Sequence, residues 1–516
     1  MPERTVSTFH PLRLLWIGLL AAALLAGCAG HGTQGGDGAI ELSESEQVMV
    51  ELAQSVGFVD DPELLAYIES IGQRIVERGE RSEIDYRFYI LDMPIPNALA
   101  LPEGQILVSR GVLVLVNSED ELAGILAHEI AHVEEHHADE RQGLAIVTSP
   151  IRLGTGIAGW ATGLIIPDLG EAIVELGEST QGLVLAPYSR DQEREADRVG
   201  QTLAASAGYD PDGLVNLLDT MVNAEALTPE AAHERSFFDS HPTTEERVEL
   251  TREHGGTLTP GQRPAAARDR PEVLAMLQGL IIGEDPGKGF FDENWFVHPV
   301  LEFAMAFPPD WEGINTGGFV GAKAPDEETF VMLALVGKGS DPLDGAKAAS
   351  KTLEVDVVSD ARAGTVNGLD AARSQAEITG PDGEIQKVEL TWIVHGGLIY
   401  QIMGVAAVEE FDAANELMRK SAHSFRSLTG EELSEILVAQ LVVVEGREGE
   451  SIAGLAERVG TPWTVEAIAV VNRRSPADPL AAGELVKVGI QKSYEVRKPA
   501  TTEEPDEPPT VIDRRQ

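Results

Sequence analysis

The chain is poor in cysteine and in positive charge. One cysteine among 516 residues excludes a disulfide framework. Lysine and arginine number 39 against 85 aspartates and glutamates, a net charge of -46. That imbalance argues against nucleic acid, or an anionic membrane surface, held through charge. It fits an acidic solvated surface, such as a salt-tolerant protein carries. No 34-residue helical repeat is present. The apolar run from Leu14 to Leu25 is too short for an ordinary membrane span. What the chain does have is 43 % apolar residues and length for about three domains.

Arg13 precedes the apolar run, which reads as a signal peptide. It ends Leu25-Ala26-Gly27-Cys28, which resembles a bacterial lipobox, and the lone Cys28 reads as a lipid attachment site. The resemblance implies a mature protein beginning at Cys28, with acyl chains holding it to a membrane. Ala29, instead of an acidic residue, points to the outer membrane. The expected location is therefore the periplasmic side of a bacterial membrane.

Along the chain, apolar spacing from Glu44 to Glu80 is helical, and Ile84–Leu91 and Gln105–Ser109 read as strands. Ser118 to Glu121 forms a capping box that opens an apolar helix, and Ser189 to Gln192 forms a second. The segment 149–166, rich in Gly and Ala, reads as a buried or lid-like hairpin. Strand patterns follow at Leu301–Phe307, Phe330–Val336 and Val388–Ile393, the last turning at His395-Gly396-Gly397 into Leu398–Gly404. Phe411–Phe425 is an amphipathic helix. His298, His395 and His423 are isolated and read as structural. Residues 440–490 run strand, helix, helix, strand. This βααβ order resembles a LysM domain, which binds glycan, although Gly449-Glu450-Ser451 stands where GDT is usual.

The chemistry lies in His128-Glu129-Ile130-Ala131-His132. Two histidines four apart stack on one helix face and can share a zinc ion, with Glu129 beside them as a base. Zinc needs a third protein ligand. A metzincin continuation would need Gly and His where Glu135 and Ala138 stand. His136 extends the stripe to about 12 Å from His128 along the axis, too far for one ion to hold both. An acidic residue on another helix remains. Glu193 and Asp197 share a face, so Glu193 can bind metal while Asp197 orients a ligand histidine. Glu195 lies about 160° round from Glu193 and is the weaker choice. Arg190 and Arg247 read as salt-bridge partners of these carboxylates.

These residues complete a set. Asn97-Ala98-x-Ala100-Leu101-Pro102, Ser109-Arg110-Gly111, the His128 motif, Ser189-Arg190-x-x-Glu193-x-x-x-Asp197 and Ser240-His241-Pro242 resemble the HtpX/BepA-like zinc metallopeptidases. This is the gluzincin family that includes the CaaX prenyl proteases. The resemblance covers about Glu44 to Leu250. It implies that His128, His132 and Glu193 bind one zinc per chain and that Glu129 is the general base. It also implies that Asn97, Ala98 and Ala100 belong to an edge strand where substrate docks. Leu99 and Glu103 depart from the usual Phe and Gly there. His241 is expected to act at the site in one of two ways: stabilising an oxyanion, or occupying the open metal position as a latch.

The expected fold is multi-domain α+β. It comprises a signal peptide (1–28), a tether (29–43), a mainly helical zincin domain with a small sheet (44–256) and a linker (257–285). An α+β domain of unassigned role (286–430), a LysM-like module (438–492) and an acidic Pro-rich disordered tail (493–516) follow. The expected function is a lipid-anchored envelope metalloendopeptidase acting on misfolded or stalled envelope proteins. Two alternatives are a mainly latent peptidase serving outer-membrane protein assembly and a non-enzymatic peptidoglycan-binding lipoprotein.

Overall fold

A computed structural model of the chain describes residues 43–81, 83–140, 187–227, 237–242, 245–316, 318–325, 329–353, 355–379 and 385–496. The expected signal peptide with Cys28, most of the expected tether, the 149–166 segment and the expected tail from 497 lie outside them. No helix among the described residues is long and apolar enough to cross a membrane.

The first unit opens with two helices, α1 (Glu44–Ser55) and α2 (Pro62–Val76). Ser43 caps α1 in a reciprocal box with Glu46. Asp61 caps α2, and Pro62 fits its first turn, where no amide partner is needed. Three strands follow: β1 (Arg87–Leu91), β2 (Ala98–Ala100) and β3 (Gln105–Ser109). β3 is central, parallel to β1 and antiparallel to β2, so β2 is an edge. α3 (Arg110–Leu115) leads into α4 (Glu119–Glu134), which carries the His128 motif.

Leu122, Ile125, Leu126, Ile130 and Val133 of α4 are all buried. Burial of each such side chain contributes about 1.5–3 kcal/mol. Its expected capping box is half made. Glu121 N–H donates to Ser118 Oγ at 3.2 Å, but the Glu121 carboxylate accepts from Asn117 N–H at 2.6 Å instead. The helix stops at Glu134, because His136 adopts a left-handed φ of 62°. The expected extension of the histidine stripe to His136 is therefore absent: the backbone turns, and His136 is exposed. A short α5 (His137–Glu140) follows.

α6 (Arg190–Ser206) has the expected reciprocal Ser189–Gln192 cap. α7 (Asp212–Ala226), α8 (Phe237–Ser240) and α9 (Glu245–Gly255) complete the helical layer. α6 and α7 both pack on α4. The first crossing is close because Gly200 has no side chain: a Cβ there would lie 2.9 Å from the Ala127 carbonyl oxygen and the His128 nitrogen.

The expected linker is only partly one. α10 (Arg270–Leu277) buries Val273 and Leu277 in the core of the first unit, Leu274 is buried beside them in sequence, and β4 (Ile281–Ile282) pairs with a C-terminal strand. Apolar side chains at 273, 274 and 277 share a helix face, which gives this segment a reason to dock.

The second unit contains β5 (Phe290–Asp292), β6 (Trp295–His298), β7 (Phe303–Ala306), β8 (Glu312–Asn315), β9 (Val320–Lys323) and β10 (Phe330–Lys338). Then come α11 (Pro342–Leu353), β11 (Arg362–Val366), β12 (Leu369–Thr379), β13 (Ile385–His395), β14 (Leu398–Ala407), α12 (Phe411–Ser424), β15 (Arg426–Ser427) and α13 (Gly430–Glu435). A seven-stranded antiparallel sheet runs β11-β12-β13-β14-β10-β9-β8, and a four-stranded one runs β15-β7-β6-β5. The β13–β14 hairpin turns at Gly396 and Gly397, with φ of 58° and 77°, a conformation that favours glycine at both positions. His395 Nε2 lies 3.1 Å from the Leu301 carbonyl, and burial lowers the His298 pKa to about 4.

The C-terminal module is β16 (Leu437–Glu445), α14 (Ile452–Val459), α15 (Val465–Val471) and β17 (Leu485–Ser493), the expected βααβ order. It does not stand apart. Leu441 and Val471 belong to the same apolar cluster as α4. The fully buried Lys487 ammonium donates to the Val114 and Val116 carbonyls at 2.8 and 2.6 Å.

Candidate metal centre

His128 and His132 rise from α4, one turn apart, and Glu193 faces them from the first turn of α6. His128 Nε2 and His132 Nε2 are 3.2 Å apart. Glu193 Oε1 lies 3.3 Å from His132 Nε2, and Oε2 lies 3.7 Å from His128 Nε2. Ligands bonded to one tetrahedral ion at about 2.0–2.1 Å stand roughly 3.4 Å apart, so the three donors fit a single cation. His241 supplies a fourth. Its Nδ1 is 3.3 Å from His128 Nε2 and 2.9 Å from Glu193 Oε1. The four donor atoms all lie within 4.8 Å of one another, and all four residues are buried. Imidazole and carboxylate donors in this number suit zinc and its neighbours in the first transition row.

The surroundings hold this group in place. His128 Nδ1 lies 3.0 Å from Asp197 Oδ1. Arg247, from α9, forms a fork on Asp197, with Nε to Oδ2 at 2.7 Å and Nη2 to Oδ1 at 2.8 Å, and it also pairs with Glu193. Thr251 Oγ1 donates to Asp197 Oδ2 at 3.0 Å. Burial pushes the Glu193 carboxyl up, but His241 and Arg247 outweigh it and hold the group well below the usual carboxylate range. Burial likewise opposes Asp197 ionisation, and Arg247 and His128 overcome it. Burial and the neighbouring rings lower His132 well below its ordinary value, which leaves it neutral, as a ligand must be. Burial opposes protonation of His128, yet its hydrogen bond to Asp197 and the Glu193 charge raise its pKa. A cation at Nε2 would displace that proton.

Glu129 is buried beside the group, with Oε1 3.7 Å from His241 Nε2. Phe237 stacks on His241 with centroids 4.3 Å apart, and Tyr188 stacks on His132 at 3.7 Å. The Phe237 N–H donates to the Pro96 carbonyl at 3.1 Å, tying the His241 segment to the start of β2. Asn97, Ala98 and Ala100 are buried on or beside this edge strand, which packs against α4.

The structure thus brings Glu129, His128, His132, Glu193, Asp197 and His241 together, and it leaves Arg190 and His136 exposed. Arg247, expected as a plain salt-bridge partner, bridges two carboxylates. Reading the sequence misses His137, Tyr188, Phe237 and Thr251. His137 falls five residues after His132, off the helical stripe. Only its place at a helix end, where the chain turns back, could have marked it.

The comparisons agree with this chemistry. Residues 62–254 match the model of peptidase family M48. The chain is 29 % identical over 182 residues to the mitochondrial metalloendopeptidase OMA1 of Schizosaccharomyces pombe, covering 35 % of this chain and 50 % of that one. It is 26 % identical over 226 residues to the beta-barrel assembly-enhancing protease of Yersinia pestis, covering 43 % and 45 %. To the metalloprotease YcaL of Escherichia coli K12 it is 30 % identical over 172 residues, covering 33 % and 61 %. The chain spans about half the length of these relatives. The His–His–Glu–His donor group lies inside the segment that matches the M48 family model.

Proposed function

We propose that the chain is a zinc-dependent metalloendopeptidase of gluzincin type. In this reading His128, His132 and Glu193 hold one zinc ion, Glu129 is the general base and Asp197 orients His128. The observation that carries it is the spacing of 3.2–3.7 Å between the two imidazole Nε2 atoms and from them to the Glu193 carboxylate oxygens. When bound, zinc supplies Lewis acidity to a water and to the scissile carbonyl. Glu129 accepts the proton of the attacking water and returns it to the leaving amine. The edge strand at Asn97, Ala98 and Ala100 offers main-chain pairing to an extended peptide. The likeness to a beta-barrel assembly-enhancing protease and the lipobox-like Cys28 support an envelope location, lipid-anchored on the periplasmic side of the outer membrane. Misfolded or stalled envelope proteins are the substrates in this reading. Glu129→Gln should keep zinc and lose casein cleavage, while Glu193→Ala should lose both. A Glu129→Gln chain that still cleaves casein would sink the assignment.

The position of His241 favours a second element, latency. Its Nδ1 stands where a fourth ligand would stand, 3.3 Å from His128 Nε2. That geometry supports a latch over an oxyanion donor. His241→Ala should then raise casein turnover; loss of turnover would restore the oxyanion role. The LysM-like module adds peptidoglycan as a candidate partner, and retention of the full chain on insoluble peptidoglycan tests that, since a chain that passes through unbound removes it.

A further inference from the structure

His132 has a neighbour on the side away from the other donors. Its Nδ1 lies 3.2 Å from Nδ1 of His137, and His137 Nε2 lies 3.6 Å from Oε2 of Glu195. Both rings are buried, while the Glu195 side chain is 47 % exposed. His137 reaches this place because the metal helix stops. α4 ends at Glu134, His136 takes its left-handed turn, and α5 begins at His137, folded back against His132. Glu195 sits on α6, two residues beyond Glu193.

We infer that His137 is a positioning residue for the metal centre. It holds His132 in the tautomer and ring orientation that a bound cation requires, and Glu195 steadies His137 in turn. The inference rests on the reading of His132 as a metal ligand. A histidine that gives Nε2 to a cation carries its ring proton on Nδ1. A buried N–H needs an acceptor, and His137 Nδ1 stands at hydrogen-bond distance. His137 must then be unprotonated at Nδ1 and carry its own proton on Nε2, which faces the Glu195 carboxylate. The donors run one way, from ligand to carboxylate. His128 is served by a shorter version, since its Nδ1 faces Asp197 directly at 3.0 Å. Each ligand histidine thus ends on a carboxylate, one directly and one through a second ring. Tyr188, stacked on His132 with planes 10° apart, fixes the ring plane but cannot choose the tautomer.

The test is zinc affinity of the full chain, measured by competition with a chromophoric chelator, beside thermal unfolding of the metal-free protein. His137→Asn places an amide oxygen near the lost Nδ1, while His137→Leu fills the space without an acceptor. The Leu chain should bind zinc about 10–100-fold more weakly than wild type. The Asn chain should stay within about threefold, because its oxygen accepts the same proton. Metal-free unfolding temperatures of the two should coincide. Glu195→Gln should weaken zinc by less than the Asn-to-Leu gap. Equal zinc loss in the Asn and Leu chains, or none in the Leu chain, overturns the proposal and leaves His137 as packing. A wild-type chain that binds no zinc is a different result: it removes the ligand reading, and this proposal with it.

Discussion

Arg247 holds two buried carboxylates at once. Its guanidinium forks onto Asp197 and also meets Glu193, with all three side chains 3 % exposed or less. Carboxylates this deep are tolerated only when paired, and a planar fork pairs them better than a lysine would. Arg247→Met should therefore cost about 3–5 kcal/mol in urea denaturation of the metal-free chain, because it leaves charge uncompensated. Excess zinc should recover part of that loss by pairing Glu193. A cost under about 1 kcal/mol would mean that the carboxylates find other partners. Among single residues, His128, Glu129, His132 and Glu193 were legible in the sequence, since helical spacing alone puts the histidines on one face. The bridging role of Arg247 was not, because it needs α9 to return to α6.

The site at the element scale is a crossing of two helices. α4 brings two histidines, α6 brings Glu193 and Asp197, and Gly200 lets the backbones meet. The atoms that a Cβ at 200 would strike are backbone atoms of Ala127 and His128, which cannot swing aside. Gly200→Ala should thus wedge the helices apart, cost about 1–3 kcal/mol of stability and weaken zinc binding about tenfold. Chemical denaturation and chelator competition measure the two effects, and an unchanged zinc affinity would show that the crossing absorbs the methyl group. The start of α4 shows what local pattern leaves out. Ser118 and Glu121 have capping-box spacing, yet Glu121 accepts from Asn117 and also pairs with Arg473 at 2.8 Å. A partner 352 residues away redirects a side chain that local rules assign to the cap.

Across the whole molecule, part-buried polar contacts tie the units together. Lys288, ahead of β5, donates to the Val56 and Asp92 carbonyls and pairs with the Asp92 carboxylate at 2.7 Å, and Arg110 pairs with it too. Burial resists ionisation of Asp92, but Lys288 and Arg110 outweigh it and hold its pKa below the usual range. A carboxyl depressed in the fold stabilises above its unfolded pKa, about 3.9, and that contribution is lost as pH falls through the folded value. Asp92→Asn should be less stable than wild type at pH 7 by about 1.5–3 kcal/mol. The gap should narrow as pH falls below about 4. Urea midpoints at pH 7, 5 and 3 check this, and a gap that stays constant to pH 3 would remove Asp92 as the linking charge.

The sequence by itself determined which helices carry the candidate metal donors His128, His132 and Glu193, and most of the elements. Periodicity set the metal helix, cap residues set the start of α6, and paired glycines set the β13–β14 turn, because each follows from neighbours within a few residues. Tertiary structure decided everything that depends on distant partners. It placed His241 beside the other three donors, turned His137 back on His132, and made Arg247 a bridge between the Glu193 and Asp197 carboxylates. It also drew residues 270–282 out of a supposed linker into the core of the first unit and onto β16, and it buried Lys487 against α3. Apart from the turn at His137, these outcomes depend on desolvating polar and apolar groups against surfaces 50 to 373 residues away, and local spacing carries no record of which surface will arrive.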